Sequence, residues 1–549
     1  MEICESGAGE SGLRPLSVCL INPRFEPSYW GYDHVLPFVG GDKRCWTVTG
    51  ALPALAALAP PHCTVELVDE NVEEIDFARL ARFDVIGVTG MVVQAERMKA
   101  ILARLRETEA VVVVGGPYVS VAESQFAALA DVRFIGEAEE TWPAFLEALA
   151  RREPVPERYE QAERTDMARV PPPRYDLLKA DRYMMASLQF SRGCPFRCEF
   201  CDIITIFGRR PRLKTPEQML AEFEAVRVAG FRTCFLVDDN FIGNKAKAKE
   251  LLHALIGWQK ANGYPLDITT EASIDLADDA EMIDLMREAN ILSVFIGIET
   301  PRAASLNEVR KIQNVRGDPM IARLRRIRDG GLQIAAGFIV GFDNDDEAIF
   351  DEQAAFIEEA AIAFALVAVL TPIPTTPLYD RLVREGRLDF ADHEVIFRPK
   401  GMSREALKRG YAALMRRLYE PDAFLARALG GYAGAHGYRA ARRRHAEATG
   451  RRPGPLARAR AAVGAVRLAR RLVRTVRAEG LGRLGAAYFG AWWRLNRPLG
   501  RARMPLPDFV GLCLYHWHFH RIANGARRGA FGAVLPADLP LFDQDARAA

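Results

Sequence analysis

The sequence predicts an α/β protein in three parts: a doubly wound parallel sheet, a partial (β/α)6 barrel of the TIM type, and a basic helical region. Three observations carry this expectation. Apolar strand-like runs alternate with helical stretches in two separate series. A proline-rich stretch between Pro154 and Pro173 divides the series. Beyond residue 385 the strand runs stop and arginine crowds a helical pattern. The expected boundaries are a disordered lead over 1–14, the first domain over 15–152, a linker over 153–182, the barrel over 183–385 and the helical region over 386–549. A chain of 549 residues exceeds a single core.

In the first domain the expected strands are 17–23, 64–69, 84–90, 111–117 and 133–137, with helices over 95–107, 122–129 and 140–150. Their near-continuous apolar runs suit strands buried on both faces of a parallel sheet. The strands end in small or polar residues, Asn22, Asp69, Thr89, Gly115, Gly116 and Glu137. Ligands bind at such carboxyl ends, although each residue alone also suits a plain turn. The prolines of the linker forbid regular helix there and end the domain near 152. In the barrel, strands are expected over 184–191, 233–237, 266–270, 292–298, 333–340 and 364–370, with helices over 216–229, 245–262, 278–289, 321–330 and 347–361 between them. Barrel chemistry sits at strand carboxyl ends. Those ends carry the Cys194–Cys201 stretch, Asp238-Asp239-Asn240, Glu271-Ala272-Ser273, Glu299-Thr300, Gly341-Phe342-Asp343 and Thr371-Pro372.

The chain is organised around Ser191-Arg192-Gly193-Cys194-Pro195-Phe196-Arg197-Cys198-Glu199-Phe200-Cys201-Asp202. Three thiolates at C-x3-C-x2-C spacing can hold three irons of a 4Fe–4S cluster and leave the fourth iron without a protein ligand. Electron-transfer clusters use four cysteines, whereas an open position suits catalysis. Zinc is the rival reading, but zinc motifs usually add a second Cys pair or His, and none is near. Three core cysteines are the bland reading, against which the Gly, Pro and Arg of this loop speak.

This loop resembles the signature of the radical S-adenosylmethionine (radical SAM) family. The resemblance implies that Cys194, Cys198 and Cys201 ligate the cluster, that the open iron chelates S-adenosylmethionine, and that its cleavage gives a 5′-deoxyadenosyl radical. Phe200 matches the aromatic near the adenine. Asp238 and Asp239 occupy the place of the group that engages the methionyl amine, without settling which one bonds. Glu299 is similar to the residue near the ribose, and Gly337 to Gly341 resembles the strand that backs the adenine. Lys311, Gln313 and Asn314 are placed to reach substrate or cofactor. The first domain resembles the cobalamin-binding domain ahead of many radical SAM methylases. Cobalamin is then expected on Asn22, Asp69, Thr89, Gly115, Gly116 and Glu137. Glu70 and Asn71 follow Asp69 where the family's other branch has a His ligand for cobalt, so no His from that loop is expected on the metal. His34 is the one nearby residue that could take that role.

Lys+Arg 73 against Asp+Glu 71 gives a net charge of +2, which implies no nucleic-acid partner. Outside the loop, Cys4, Cys19, Cys45, Cys63, Cys234 and Cys513 are scattered, as for reduced thiols in the cytoplasm. Met1 to Gly12 lacks the apolar stretch of a signal peptide, and no apolar run is long enough to span a bilayer. Ser403 reads as a helix start. Arg467, Arg470, Arg471 and Arg474 alternate with Val463, Val466, Leu468, Leu472 and Val473 within a basic stretch over 440–480, and Trp492 and Trp493 follow. This pattern suits a helix lying at the inner membrane face, or a solvated face of an ordinary helix. His516, His518 and His520 would share one face of a strand and could then bind metal, but the surrounding residues read as helix.

The whole resembles the subgroup of hopanoid C-methylases and bacteriochlorophyll side-chain methylases. That resemblance implies a cobalamin-dependent C-methyltransferase acting on a hydrophobic, lipid-like or tetrapyrrole-like substrate, with a flavodoxin or ferredoxin as electron donor. A ring-forming or rearranging radical enzyme without methyl transfer, and a non-catalytic iron–sulfur or cobalamin sensor, are the alternatives.

Overall fold

The computed structural model describes residues 13–392, 394–434, 454–478, 482–496 and 504–525. Its strands, in chain order, are β1 (Leu16–Asn22), β2 (Cys45–Thr47), β3 (Cys63–Asp69), β4 (Val85–Thr89), β5 (Val111–Gly115), β6 (Val132–Ile135), β7 (Arg158–Glu160), β8 (Tyr183–Leu188), β9 (Ser191–Arg192), β10 (Arg212–Leu213), β11 (Thr233–Leu236), β12 (Asp267–Glu271), β13 (Ile291–Glu299), β14 (Gln333–Val340) and β15 (Phe364–Val369).

The first sheet has the order β3-β1-β4-β5-β6-β7 and is parallel throughout. Strand order reverses at β1, so the carboxyl ends of β1 and β4 flank the crevice where such sheets take ligands. The sheet runs past the expected end at 152. Arg158–Glu160, inside the presumed linker, adds an edge strand whose Tyr159 ring stacks on Phe134 at 5.1 Å. The helix expected over 122–129 is replaced by a short helix over Pro117–Val121 and a 3-10 turn over Glu123–Phe126. Pro117 explains the earlier start, because proline is preorganised for the first helical position.

The second sheet runs β15-β14-β13-β12-β11-β8-β2, with the six barrel strands in sequential parallel order. Helices over Pro216–Val228, Lys245–Ala261, Ala280–Glu288, Met320–Asp329 and Ile349–Glu359 lie between them, as expected. One element crosses over. Cys45–Thr47, from the first part of the chain, pairs parallel with β8 and forms the barrel sheet's edge. The helix Leu506–Gly525 then spans the gap between the two edges. Its Tyr515 meets Phe364 of β15 at 5.6 Å and Trp46 of β2 at 6.0 Å. These contacts join the helical region and the barrel in one hydrophobic core.

The helix Arg404–Leu418 starts where expected, with Ala406 N donating to Ser403 Oγ at 3.1 Å. Helices also cover Pro455–Ala478 and Gly482–Asn496, while residues 440–453 and 479–480 of the basic stretch lie outside the described residues. The three histidines are on a helix, so the shared strand face does not form. His516 Nε2–H donates to the Tyr419 carbonyl at 3.0 Å and its Nδ1 accepts from Tyr488 Oη at 2.6 Å. His518 Nε2 is 3.3 Å from the Tyr29 carbonyl. Burial lowers His516 to about 3 and His518 to about 4, so both stay neutral as packing residues. Among the described residues no helix is long and apolar enough to cross a membrane.

Candidate active site

The cysteine loop leaves the carboxyl end of β8 and is pinned on all sides. Asp238, at the end of β11, accepts from Phe190 N–H at 2.8 Å and from Ser191 Oγ–H at 2.7 Å. Asp239 accepts from Gly193 N–H at 2.6 Å. Gly193 has φ +100°, and a Cβ there would lie 2.8 Å from the Gly208 carbonyl, so only glycine fits. Cys194 N donates to that carbonyl at 3.2 Å, and Glu199 N to the Val309 carbonyl at 2.9 Å. The cysteines form no disulfide. Burial pushes the Cys194 and Cys201 thiols up, so both stay protonated until metal displaces the proton. No three His, Cys, Asp or Glu among the described residues gather closely enough for a single ion.

Three further groups close on the loop. Lys311 Nζ donates to Glu299 Oε1 at 2.5 Å and stands 5.9 Å from the Phe200 ring centroid. Burial opposes its charge, but the Glu299 carboxylate holds its pKa above the usual lysine value. Gln313 Nε2 lies 3.7 Å from Cys198 Sγ, and Asn314 donates to the carbonyls of Gly297 and Ile298. Glu299 has φ +66° at a register slip after Gly297. A bulge of this kind re-aims a side chain, here toward the cysteine loop.

Carboxylates dominate the opposite wall. Burial, and then the neighbouring Asp239, raises Asp238 to about 7. Asp239 is raised to about 6, chiefly by burial. Glu271, at the end of β12, reaches about 7 through burial and the charges of Asp239 and Asp238. The Glu271 carboxylate has no hydrogen-bond or ion-pair partner among the described residues. In the sequence Glu271 is only one polar strand end among several. Its weight comes from two other carboxylates beside it with no cation between them.

Several expected site residues are placed differently. Asp238 uses each oxygen to hold the loop, so it positions the cysteines. Glu137 was expected on the cobalamin edge. Its carboxylate instead accepts from Arg192 Nη1 at 2.7 Å, Arg212 Nη1 at 3.0 Å and Thr165 N at 3.1 Å. Arg192 also meets Glu139 at 2.6 Å. These pairs clamp the first sheet's β6 end to the cysteine loop. Asn22 and Asp69 are likewise committed: Asp69 accepts from Asn22 and Asn71 and from Tyr183 Oη at 2.9 Å. The space beside Gly337 is filled by the Phe295 ring, 2.9 Å from a built Cβ, and that beside Gly341 by Leu407 at 3.2 Å. Gly116, with φ +103°, lets the β5 end approach β4, since a Cβ would lie 2.4 Å from Thr89 Oγ1. The Gly115 Cβ direction points to Phe134 at 3.2 Å. Phe200 packs between Lys311 and Phe342, whose ring centroid is 6.2 Å away.

A cavity of about 1030 Å³ connects the two sheets. Its walls combine Phe25, Asn71 and Met91 from the carboxyl-edge loops of the first sheet with Thr269 and Phe295 from the barrel lumen and Leu512 from the C-terminal helix. It is large enough for a drug-sized molecule or more and is mostly apolar.

Comparison with known proteins agrees with this architecture. Residues 188–357 match the radical SAM superfamily, 45–146 the B12 binding domain, and 376–530 a domain of unknown function. An uncharacterized methyltransferase of Synechocystis sp. is 42% identical, over 67% of this chain and 68% of the relative. The hopanoid C-2 methylase of Rhodopseudomonas palustris is 33% identical, over 76% of this chain and 80% of the relative. The chain belongs to the cobalamin-binding radical SAM family. Its enzymes use a 4Fe–4S cluster, S-adenosylmethionine and cobalamin, and its relatives here are methyltransferases. A solved structure of the cobalamin-dependent radical enzyme OxsB has the same fold at a TM-score of 0.59 and 15% identity, covering 94% of this chain and 80% of that one.

Proposed function

We propose that this chain is a cobalamin-dependent radical SAM C-methyltransferase that acts on an unactivated carbon of a hydrophobic substrate. The single observation that carries the reading is the apolar cavity walled by both the first sheet's carboxyl edge and the barrel lumen. Two cofactors that must serve one substrate carbon need such a shared space.

Cys194, Cys198 and Cys201 would hold the cluster. Asp239 and Glu271 would receive the cationic end of S-adenosylmethionine, because a cation placed beside two neighbouring carboxylates relieves their mutual repulsion. The Glu299 oxygen not held by Lys311 would accept from a ribose hydroxyl, and Phe200 would flank the adenine. Thr89, Gly115 and Gly116 would border the cobalamin. When bound, these groups supply a radical that removes hydrogen from the substrate and a methyl group that replaces it.

The residues of this chain supply the setting. Asp238 fixes the cysteine loop through two hydrogen bonds. The Arg192 clamp to Glu137 and Glu139 fixes that loop against the first sheet. The aromatic closure around Tyr515 keeps water from the lumen, as radical chemistry requires. The relative from R. palustris supports a lipid-like substrate of the hopanoid class. Phe489 and Trp493 are 66% and 60% exposed on the arginine-rich helices, which supports peripheral contact with a bilayer that would hold such a substrate.

Anaerobic turnover with trideuteromethyl-labelled S-adenosylmethionine and a lipid extract tests the reading. It requires S-adenosylhomocysteine and deoxyadenosine together, with label in an extracted lipid. Deoxyadenosine alone, with no label transferred, would leave a radical enzyme that does not methylate.

A further inference from the structure

Arg164, Arg197, Arg209 and Arg210 are all exposed and lie around the outer side of the cysteine loop. Arg197 is part of the loop. Arg209 Nη2 donates to the Pro195 carbonyl at 3.4 Å, and the 208–210 backbone lies against Gly193 and Cys194. Arg164 covers Gly208, and with Arg210 and Phe207 it lines a surface hollow of about 410 Å³. None of the four has a carboxylate partner among the described residues. The exposed acids nearby do not neutralise the patch: Asp166 engages Arg169 at 3.4 Å, and Glu163 stands alone beside Arg164. Elsewhere on this chain arginines are commonly matched with acids, as Arg302 is with Asp346 and Glu352. Unpaired like charges on a small area repel one another, and an acidic partner relieves that repulsion while steering encounter.

We propose that this patch docks an acidic one-electron carrier protein, which reduces the cluster through the loop it covers. The inference rests on the cluster assigned under the proposed function. One electron leaves the reduced carrier, which is oxidised by one electron. The cluster gains it and passes from the 2+ to the 1+ state. No covalent bond breaks and no proton moves. The hollow beside the patch shares no lining residue with the cavity, so a docked carrier and a bound substrate use different surfaces.

The test uses the full chain, reconstituted anaerobically, with Arg209→Glu and Arg210→Glu combined. Cluster reduction is followed after mixing with reduced flavodoxin, an acidic carrier, and separately with photoreduced deazariboflavin, a small uncharged reductant. The flavodoxin rate constant should fall by about tenfold or more at low salt, while deazariboflavin reduces both proteins alike. Wild-type reduction by flavodoxin should also slow steeply with added salt. An unchanged flavodoxin rate, or an equal loss with both reductants, overturns the proposal. If the double variant loads no cluster, Arg209→Gln and the wild-type salt series decide; a flat salt response overturns it. A wild-type chain that takes up no cluster contradicts the proposed function itself, which is a separate failure.

Discussion

Replacing Glu271 by Gln removes one charge from a group of three neighbouring carboxylates, of which Asp238 is buried and Asp239 and Glu271 are partly buried, while keeping the side chain's shape. Burial, with Asp239 and Asp238, raises Glu271 from 4.5 to about 7 in the folded chain. A folded pKa above the unfolded one means that the folded state holds the proton longer. Wild-type stability is therefore lost as pH rises from about 4.5 to about 7 and stays low above that. The ionised form costs the ligand-free protein on the order of 3 kcal/mol at pH 8. Glu271→Gln should recover a part of this above pH 7 and nothing below about pH 4.5. S-adenosylmethionine should show the opposite preference, because its cationic end loses a partner: affinity falls by on the order of tenfold to a hundredfold for a charge-assisted contact. Anaerobic melts of ligand-free protein at pH 5 and pH 8, paired with equilibrium binding of S-adenosylmethionine, read both effects. A variant that is less stable at both pH values, or that binds S-adenosylmethionine as the wild type does, would refute the reasoning about this cluster.

Three further outcomes follow from the same geometry. Cys198→Ala should abolish the 4Fe–4S cluster on reconstitution; full iron and sulfide content with normal deoxyadenosine release would contradict the ligand assignment. Arg467, Arg470 and Arg474 are exposed on the helix Pro455–Ala478. Neutralising all three as Gln should weaken co-sedimentation with anionic liposomes by about a hundredfold at low salt, at ~1 kcal/mol per charge, and unchanged sedimentation would remove the membrane contact. Cobalamin should bind with no protein His on cobalt, since the His34 ring sits 5.5 Å from His518 against the C-terminal helix. Nitrogen superhyperfine splitting in the cob(II)alamin spectrum that vanishes in His34→Ala would show the reverse.

Much of this was legible in the chain because the signals are local. Near-continuous apolar runs mark buried parallel strands, and the barrel strands and their helices fall within a few residues of expectation. The cysteine spacing lies on a single loop and needs no tertiary information. What escaped depends on long-range pairing. Cys45–Thr47 is too short to carry a period, and nothing in it says that it joins the distant β8. Glu137 lies at a strand end like any ligand-side residue, and only the folded position of Arg192 shows that its carboxylate is occupied. Asp238 and Asp239 are adjacent in sequence, and only the fold shows that both hold the cysteine loop, Asp238 at Phe190 and Ser191 and Asp239 at Gly193, with Glu271 beside them. Gly337 and Gly341 resemble an open strand, but bulky neighbours, Phe295 and Leu407, fill the space their missing side chains leave.

The central claim is that a cluster on the cysteine loop and a cobalamin at the first sheet's carboxyl edge act on one substrate, held in the cavity between that edge and the barrel. Electron paramagnetic resonance of a sample holding both reduced cluster and cob(II)alamin tests it most directly. The account expects the two spins to interact, with cob(II)alamin relaxing faster and broadening when the cluster is reduced, and with the effect lost in the Cys198→Ala protein. A cob(II)alamin spectrum indifferent to the state of the cluster would place the two cofactors apart and contradict the account.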